Sequence, residues 1–441
     1  MKAFRLLSLV ATLGMFGSTH ATDLRSVYHD ALAHDAQYAA AQATLQAGRE
    51  KLPQARAGLL PSITLSGNST WNETDVTRLL PGAPTVPINY NSNGWTLALT
   101  QPLFRWQNWV AYQQSELSLA LAEAQFDAAR MDLILRSAQI YFDVLLAQHT
   151  LTTAQAQKAA IVEQLAAAKK NFDVGTATIT DTHEAQARLD LAEAQLIVAV
   201  NELEVRKFTL QTLTGKSQEA LKPWRRQVTL SMPQPSEMNA WVALAECDAT
   251  NVRSAQASHE IARREVDKQR AGHYPTLDLV ASRGHNALGY SPTTQSGLET
   301  ESTTIGIQLS LPLFSGGAVS SKQREASALQ NKASADLDAA KRGAALATRQ
   351  AWLGVSAGLQ QVRAYEAALI SSNSALSSNQ LGYEVGTRIN IDVLNAQSQL
   401  YDTTQKLARA RFDSLMALLR LKQAVGKLSE DDISALNAHL E

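Results

Sequence analysis

FDVGTATITDTHEAQ, residues Phe172–Gln186, occurs a second time as YEVGTRINIDVLNAQ, Tyr383–Gln397. Gly175 aligns with Gly386, Asp181 with Asp392 and Ala185-Gln186 with Ala396-Gln397, each at an offset of 211. The duplication continues on both sides. Gln139 matches Gln350 and Gly215-Lys216 matches Gly426-Lys427 at the same offset, Pro102-Leu103-Phe104 matches Pro312-Leu313-Phe314 at 210, and Arg56-Ala57-Gly58 matches Arg270-Ala271-Gly272 at 214. A repeat of about 210 residues is far longer than a solenoid unit, and the small shifts in offset place insertions in loops. Each copy reads as one helix, two strands, a long helix, a tight turn and a return helix.

Upstream of the first turn, Leu117, Leu121, Ala124, Ala128, Met131, Leu135, Ala138, Phe142 and Leu145 recur at alternating steps of four and three. That is a coiled-coil seam. The second copy runs Ala333, Leu337, Ala340, Ala344, Ala347, Ala351 and then, after one extra residue, Val355, Gly358, Val362, Tyr365 and Leu369. The extra residue is a stutter, which relaxes the supercoil locally. The spacing predicts long helices over Arg105–Phe172 and Ala318–Glu384, roughly 100 Å each at about 1.5 Å per residue. The return helices, Thr180–Leu213 and Asn390–Ala424, are about half as long, and single opening helices over Leu24–Ala57 and Trp241–Ala271 supply the other half.

Ser62–Trp71 sets Ile63 and Leu65 against Ser62, Thr64 and Ser66, and Trp95–Leu103 sets Trp95, Leu97 and Leu99 against Thr96, Ala98 and Thr100. Leu277 with Leu279, and Ile305, Ile307, Leu309 with Leu311, repeat the alternation in the second copy. These are strand patterns of about ten residues, the length a tilted strand needs to cross hydrocarbon. Asn72–Asn93 and Gly284–Thr300 are predicted to be long loops. Four strands cannot close a barrel, and an open edge in lipid leaves backbone groups unpaired. Several chains must therefore contribute; two give eight strands and three give twelve. Trp71, Trp95, Trp106 and Trp109 gather at the strand ends, as an interfacial aromatic girdle or as core.

Met1–Ala21 carries Lys2 and Arg5, the apolar run Leu6–Phe16, and Thr19 and Ala21 ahead of a cleavage point. This is the pattern of a secretory leader. Without Lys2 and Arg5, 38 basic residues face 41 acidic ones, which gives no electrostatic footprint for nucleic acid. The lone cysteine, Cys247, excludes an intrachain disulfide and a Cys-rich metal site. Gly215-Lys216-Ser217 lacks the upstream glycine of a phosphate loop, because Leu210 stands there, and His183-Glu184 lacks a second zinc-ligand histidine, because Ala187 stands there. No catalytic constellation or cofactor is implied. The domain plan is a leader at 1–21, a first repeat at 22–214, a connecting segment at 215–240, a second repeat at 241–427 and a tail at 428–441.

The duplicated V-G-T turns, the LPLF after the second strand (Leu311–Phe314), the AVGKL of Ala424–Leu428 and the YxVGTR…D…L signature of Tyr383–Leu394 together resemble the TolC family of trimeric outer-membrane channels, in its type I secretion and efflux branch. The resemblance spans essentially the whole mature chain. It implies a mainly α protomer whose homotrimer forms a twelve-stranded membrane barrel surrounded by outer-membrane lipid and continued by a periplasmic α-helical barrel. The implied partners are a periplasmic adaptor protein and an inner-membrane transporter of ABC, RND or MFS type. In that family a tyrosine and an arginine of the second copy bond to a threonine-aspartate pair of the first and hold an iris-like tip closed. Those motifs fall on Tyr383, Arg388, Thr180 and Asp181, with the gate turns at Gly175 and Gly386. Of the acidic constriction ring this chain keeps Asp392 and replaces the second position by Asn395, so weaker cation attraction is expected. Taken without the resemblance, Arg388 and Asp392 equally suit an ordinary i, i+4 helix pair. A rival reading of the whole chain is a soluble periplasmic coiled-coil adaptor or scaffold.

Overall fold

The computed structural model describes residues 21–77, 81–218, 220–225, 231–291 and 296–440. The leader expectation falls almost wholly outside the described residues. The chain forms two compact units, one gathering the chain up to Tyr38 with Arg130–Met238 and Arg349–Glu441, the other Ala39–Ala129 and Asn239–Thr348.

In the second unit each repeat contributes a hairpin. β1 (Ser62–Thr77) pairs with β2 (Thr85–Phe104), β2 with β3 (Thr276–Ser291) and β3 with β4 (Ser296–Ser310), all antiparallel, in the order β1-β2-β3-β4. Ile63 lies opposite Leu99, Leu99 opposite Ala281 and Ala281 opposite Ile305, while Leu279 lies opposite Ile307. Directly opposed residues share a face, so one apolar face crosses all four strands. Among the described residues nothing covers it where it reaches the edge strands: Ile63, Leu65, Ile305, Ile307 and Leu309 are each at least 66% exposed.

The strands hold 16, 20, 16 and 15 residues, longer than the sequence pattern predicts, and they absorb most of the stretches predicted as loops. The polar ends of β1 and β2 pair residue for residue from Asn72 opposite Tyr90 to Thr77 opposite Thr85. The ladder is a backbone structure, so losing the apolar alternation does not end it. Trp71, Trp95, Trp106 and Trp109 are exposed, which removes core packing within the protomer as their role. Where the sheet meets the helices, Arg105 donates two hydrogen bonds to Asp278, at 2.8 and 2.6 Å.

The long helices α4 (Trp106–Asp173) and α8 (Ala318–Glu384) and the return helices α5 (Ile179–Thr214) and α9 (Asn390–Ala424) fall within a residue or so of their predicted bounds. The opening helices do not. The first is divided into α1 (Leu24–His34), α2 (Ala36–Arg49) and α3 (Lys51–Ala57), and the second into α6 (Met238–Asp248) and α7 (Thr250–Arg270) followed by a 3-10 turn. The breaks at Asp35 and Ala249 are themselves 214 residues apart, the local repeat offset, and each of these N–H groups bonds back four residues, to Ala31 and Ala245. At Asp35 the side chain also accepts from the Tyr38 N–H at 2.7 Å, so a capping preference outweighs the helix propensity of the surrounding alanines.

Within the first unit α4 is buried on two sides. The seam residues Met131, Ala138, Phe142 and Leu145 are buried, and so are Leu133, Ile134, Tyr141 and Val144 beside them. These pack against Leu24, Val27 and Ala31 of α1, and against Ile433 and Leu436 of the closing helix α10 (Glu430–Asn437). Isolated bridges pair Thr22 with Leu221 and Trp224 with Leu440, and Ser429 with Asp432 forms a capping box on α10. The Gly215-Lys216 pair has a structural role: Gly215 caps α5 in the left-handed region at φ 71°, and Lys216 pairs with Asp30.

Candidate functional site

Two helix-hairpin turns, 174–178 between α4 and α5 and 385–389 between α8 and α9, carry or adjoin the residues singled out from sequence. They repeat bond for bond. Gly175 and Gly386 take φ of 79° and 78°, a region open to glycine at little cost. The Asn171 carbonyl accepts from the Thr176 N–H (2.8 Å), the Ala177 N–H (3.2 Å) and the Thr176 hydroxyl (3.1 Å). The Gly382 carbonyl accepts from the Thr387 N–H (2.8 Å), the Arg388 N–H (3.0 Å) and the Thr387 hydroxyl (3.1 Å).

The side chains differ between the copies. Asp181 closes a capping box, its Oδ2 accepting from the Thr178 N–H at 2.9 Å and the Thr178 hydroxyl at 2.8 Å. Its counterpart Asp392 has Ile389 at the N-cap, which offers no side-chain bond. Asp392 faces Arg388 instead, at 3.7 Å, with the arginine side chain 59% exposed. Tyr383 meets the first repeat through Asn171, whose Nδ2 donates to the tyrosine oxygen at 3.0 Å. Thr180 is exposed at the start of α5. Among the described residues of one protomer, then, the expected set is not bonded to itself: Tyr383 is held by Asn171, Arg388 lies beside Asp392, and Asp181 serves its own helix cap.

Asn395 is exposed and accepts from Arg188 Nη2 at 2.8 Å. Nearby, Asn390 is buried, accepts from Gln164 at 2.7 Å and donates to the Asp181 carbonyl at 3.4 Å. It ties α4, α5 and α9 together. Asn171, Gln164, Arg188 and Asn390 escape sequence reasoning because each acts on a partner more than 200 residues away, and only the repeat offset hints at which turns meet. Below the turns, Ile161, Leu165 and Ala168 of α4 pack with Ala185 and Ala192 of α5 and Leu394 of α9 in a small apolar cluster.

An exposed apolar sheet face with open edges, joined to very long helices that end in two matched turns, defines the protomer of an outer-membrane channel. The outer membrane efflux protein family matches residues 27–216 and 241–427, and the chain belongs to that family. It is 34% identical over 446 residues to outer membrane protein TolC of Vibrio cholerae serotype O1, covering 100% of this chain and 99% of that one. To the alkaline protease secretion protein AprF of Pseudomonas aeruginosa it is 33% identical over 415 residues, covering 93% and 86%. The crystal structure of the outer membrane protein VceC of Vibrio cholerae shares the fold, with a TM-score of 0.77 at 22% identity over 91% of this chain and 96% of that one. The fold is that of trimeric outer-membrane channels, and the chain is an outer-membrane export duct of efflux and type I secretion. The rival reading as a soluble adaptor is not favoured.

Proposed function

We propose that three copies of this chain close a twelve-stranded barrel and that their helix-hairpin turns form its periplasmic gate, opened by an adaptor working with an inner-membrane transporter. Tyr383, Arg388, Thr180 and Asp181 hold the gate shut, and Asp392 with Asn395 lines the constriction. The observation that carries this reading is the exposed Arg388 guanidinium, 3.7 Å from Asp392 and without a bond to Asp181 in its own protomer. A closing contact from Arg388 to Thr180 or Asp181 is then made between copies. A charge-assisted bond of this kind contributes about 1.5–3 kcal/mol, and three copies keep a tip closed yet breakable. With Asn395 held by Arg188, the constriction carries three Asp392 carboxylates and no second acidic ring. Cargo choice falls to the pump, since a water-filled lumen makes few specific contacts.

The test is planar-bilayer conductance of the detergent-extracted protein, with oligomer mass measured on the same sample. A three-chain species of small conductance, raised by Arg388→Ser, is the expected result. An Arg388→Ser channel with wild-type conductance would overturn the gate assignment, and a species of two chains would overturn the trimer.

A further inference from the structure

We infer that Asn171 and Gly382, the equivalent residues four positions before the two turn glycines, are positioning residues for the gate: Asn171 holds Tyr383, and Gly382 leaves the space in which the Arg388 side chain lies. The inference deepens the gate reading above and rests on it.

The two positions are 211 residues apart, as are Ala177 and Arg388. Their carbonyls do the same work, each accepting two backbone N–H groups and one threonine hydroxyl. What differs is the distribution of bulk. The first turn has a side chain at 171 and almost none at 177, whereas the second has none at 382 and a long one at 388. A Cβ added at Gly382 would stand 2.6 Å from Arg388 Cγ and 3.3 Å from its Cβ, so the arginine could not keep its place.

Backbone geometry does not explain this glycine. Gly382 lies in the last turn of α8, where glycine is a poor helix former and alanine the best, and left-handed φ belongs to Gly386. In the first turn the small Ala177 leaves the Asn171 amide unobstructed, and it crosses to the second hairpin to donate to Tyr383 at 3.0 Å. One turn thus supplies the holder and the other the held groups, Tyr383 and Arg388. The duplicated sequence has divided the task by exchanging a large and a small residue between the same two positions.

The experiment is a pair of double-mutant cycles on the full detergent-extracted channel, reading bilayer conductance and thermal melting. Gly382→Ala is expected to leave the melting temperature unchanged or raised, because alanine favours the helix, while conductance moves toward that of Arg388→Ser. In the Arg388→Ser background it should add nothing. Asn171→Ala should raise the open-to-closed ratio about fivefold, the loss of one neutral hydrogen bond. Tyr383→Phe should match it, with no further rise in the double variant. Wild-type conductance in Gly382→Ala, or effects of Asn171→Ala and Tyr383→Phe that multiply, would overturn the inference. If Arg388→Ser itself leaves conductance unchanged, the gate reading falls and this inference with it. A response to Arg388→Ser without one to Gly382→Ala removes only the positioning role.

Discussion

Helix α4 is held in opposite ways at two places within the first unit. Around Tyr141 and Phe142 it is enclosed: both rings are at most 1% exposed, Phe142 stacks on Phe412 at 5.3 Å, and the Tyr141 hydroxyl donates to the Lys222 carbonyl at 2.8 Å. At its far end the apolar side chains of the two hairpins lie open, with Phe172 at 42%, Val174 at 66%, Val385 at 65% and Ile389 at 61% exposure. There the two repeats meet through hydrogen bonds from Asn171, Gln164, Asn390 and Arg188 and through the small apolar cluster that takes in Leu394. A large apolar core fixes one end at several kcal/mol per side chain, whereas a small apolar cluster and individual polar bonds of about 1 kcal/mol hold the other. The proposed gate fits this division, since moving elements come from the weakly held part of a fold.

The largest effect that would sharpen the contrast is Phe142→Ala, which should cost about 3–5 kcal/mol of folding stability, measured by denaturant unfolding, while the channels that remain folded keep their small conductance. Raised conductance in them would mean that the enclosed end also gates. Next comes Asp35→Asn. Arg136 binds both carboxylate oxygens of Asp35, at 2.9 and 3.1 Å, and this holds the Asp35 carboxyl below the usual carboxylate range. With a depressed folded pKa, its stabilisation is complete above the unfolded carboxylate value near pH 4 and is lost as pH falls through the folded value. The variant should lose about 2 kcal/mol at neutral pH, less than for a fully buried pair because Arg136 is partly exposed. Its acid-unfolding curve should also be flatter than wild type, and an unaltered curve would exclude Asp35 as the titrating group. The smallest effect on stability belongs to Asp392→Ala, within about 0.5 kcal/mol, yet cation selectivity and block by multivalent cations should both fall. Their persistence would take Asp392 out of the constriction.

The long helices and the two turns were legible because they depend on local patterns, a four-three seam and a glycine that only one backbone region requires. Gly175 and Gly386 announce their left-handed turns in sequence. The second buried face of α4 was not legible: Leu133, Ile134, Tyr141 and Val144 break the single-seam pattern, and their partners in α1 and α10 come from opposite ends of the chain. The break at Asp35 was hidden by alanine-rich surroundings, and the polar halves of the strands by the lack of alternation. At the tip, the motif residues could be placed by the repeat, but their bonding could not. Tyr383 reaches Asn171 across 212 residues, a pairing that depends on how the hairpins lie in space.

The capping box on α5 sets the two helix starts apart. Thr178 and Asp181 lock the first turn of that helix, whereas α9 starts behind Ile389 with no side-chain cap. A helix cap contributes roughly 1 kcal/mol, so the two helix starts draw that stabilisation from different places. The first turn of α9, which carries Asp392, relies on its neighbours instead: Asn390, Val393 and Leu394 are buried, and Asn390 bonds to Gln164 of α4 and to the Asp181 carbonyl of α5, so this helix start is secured from outside where that of α5 is secured from within.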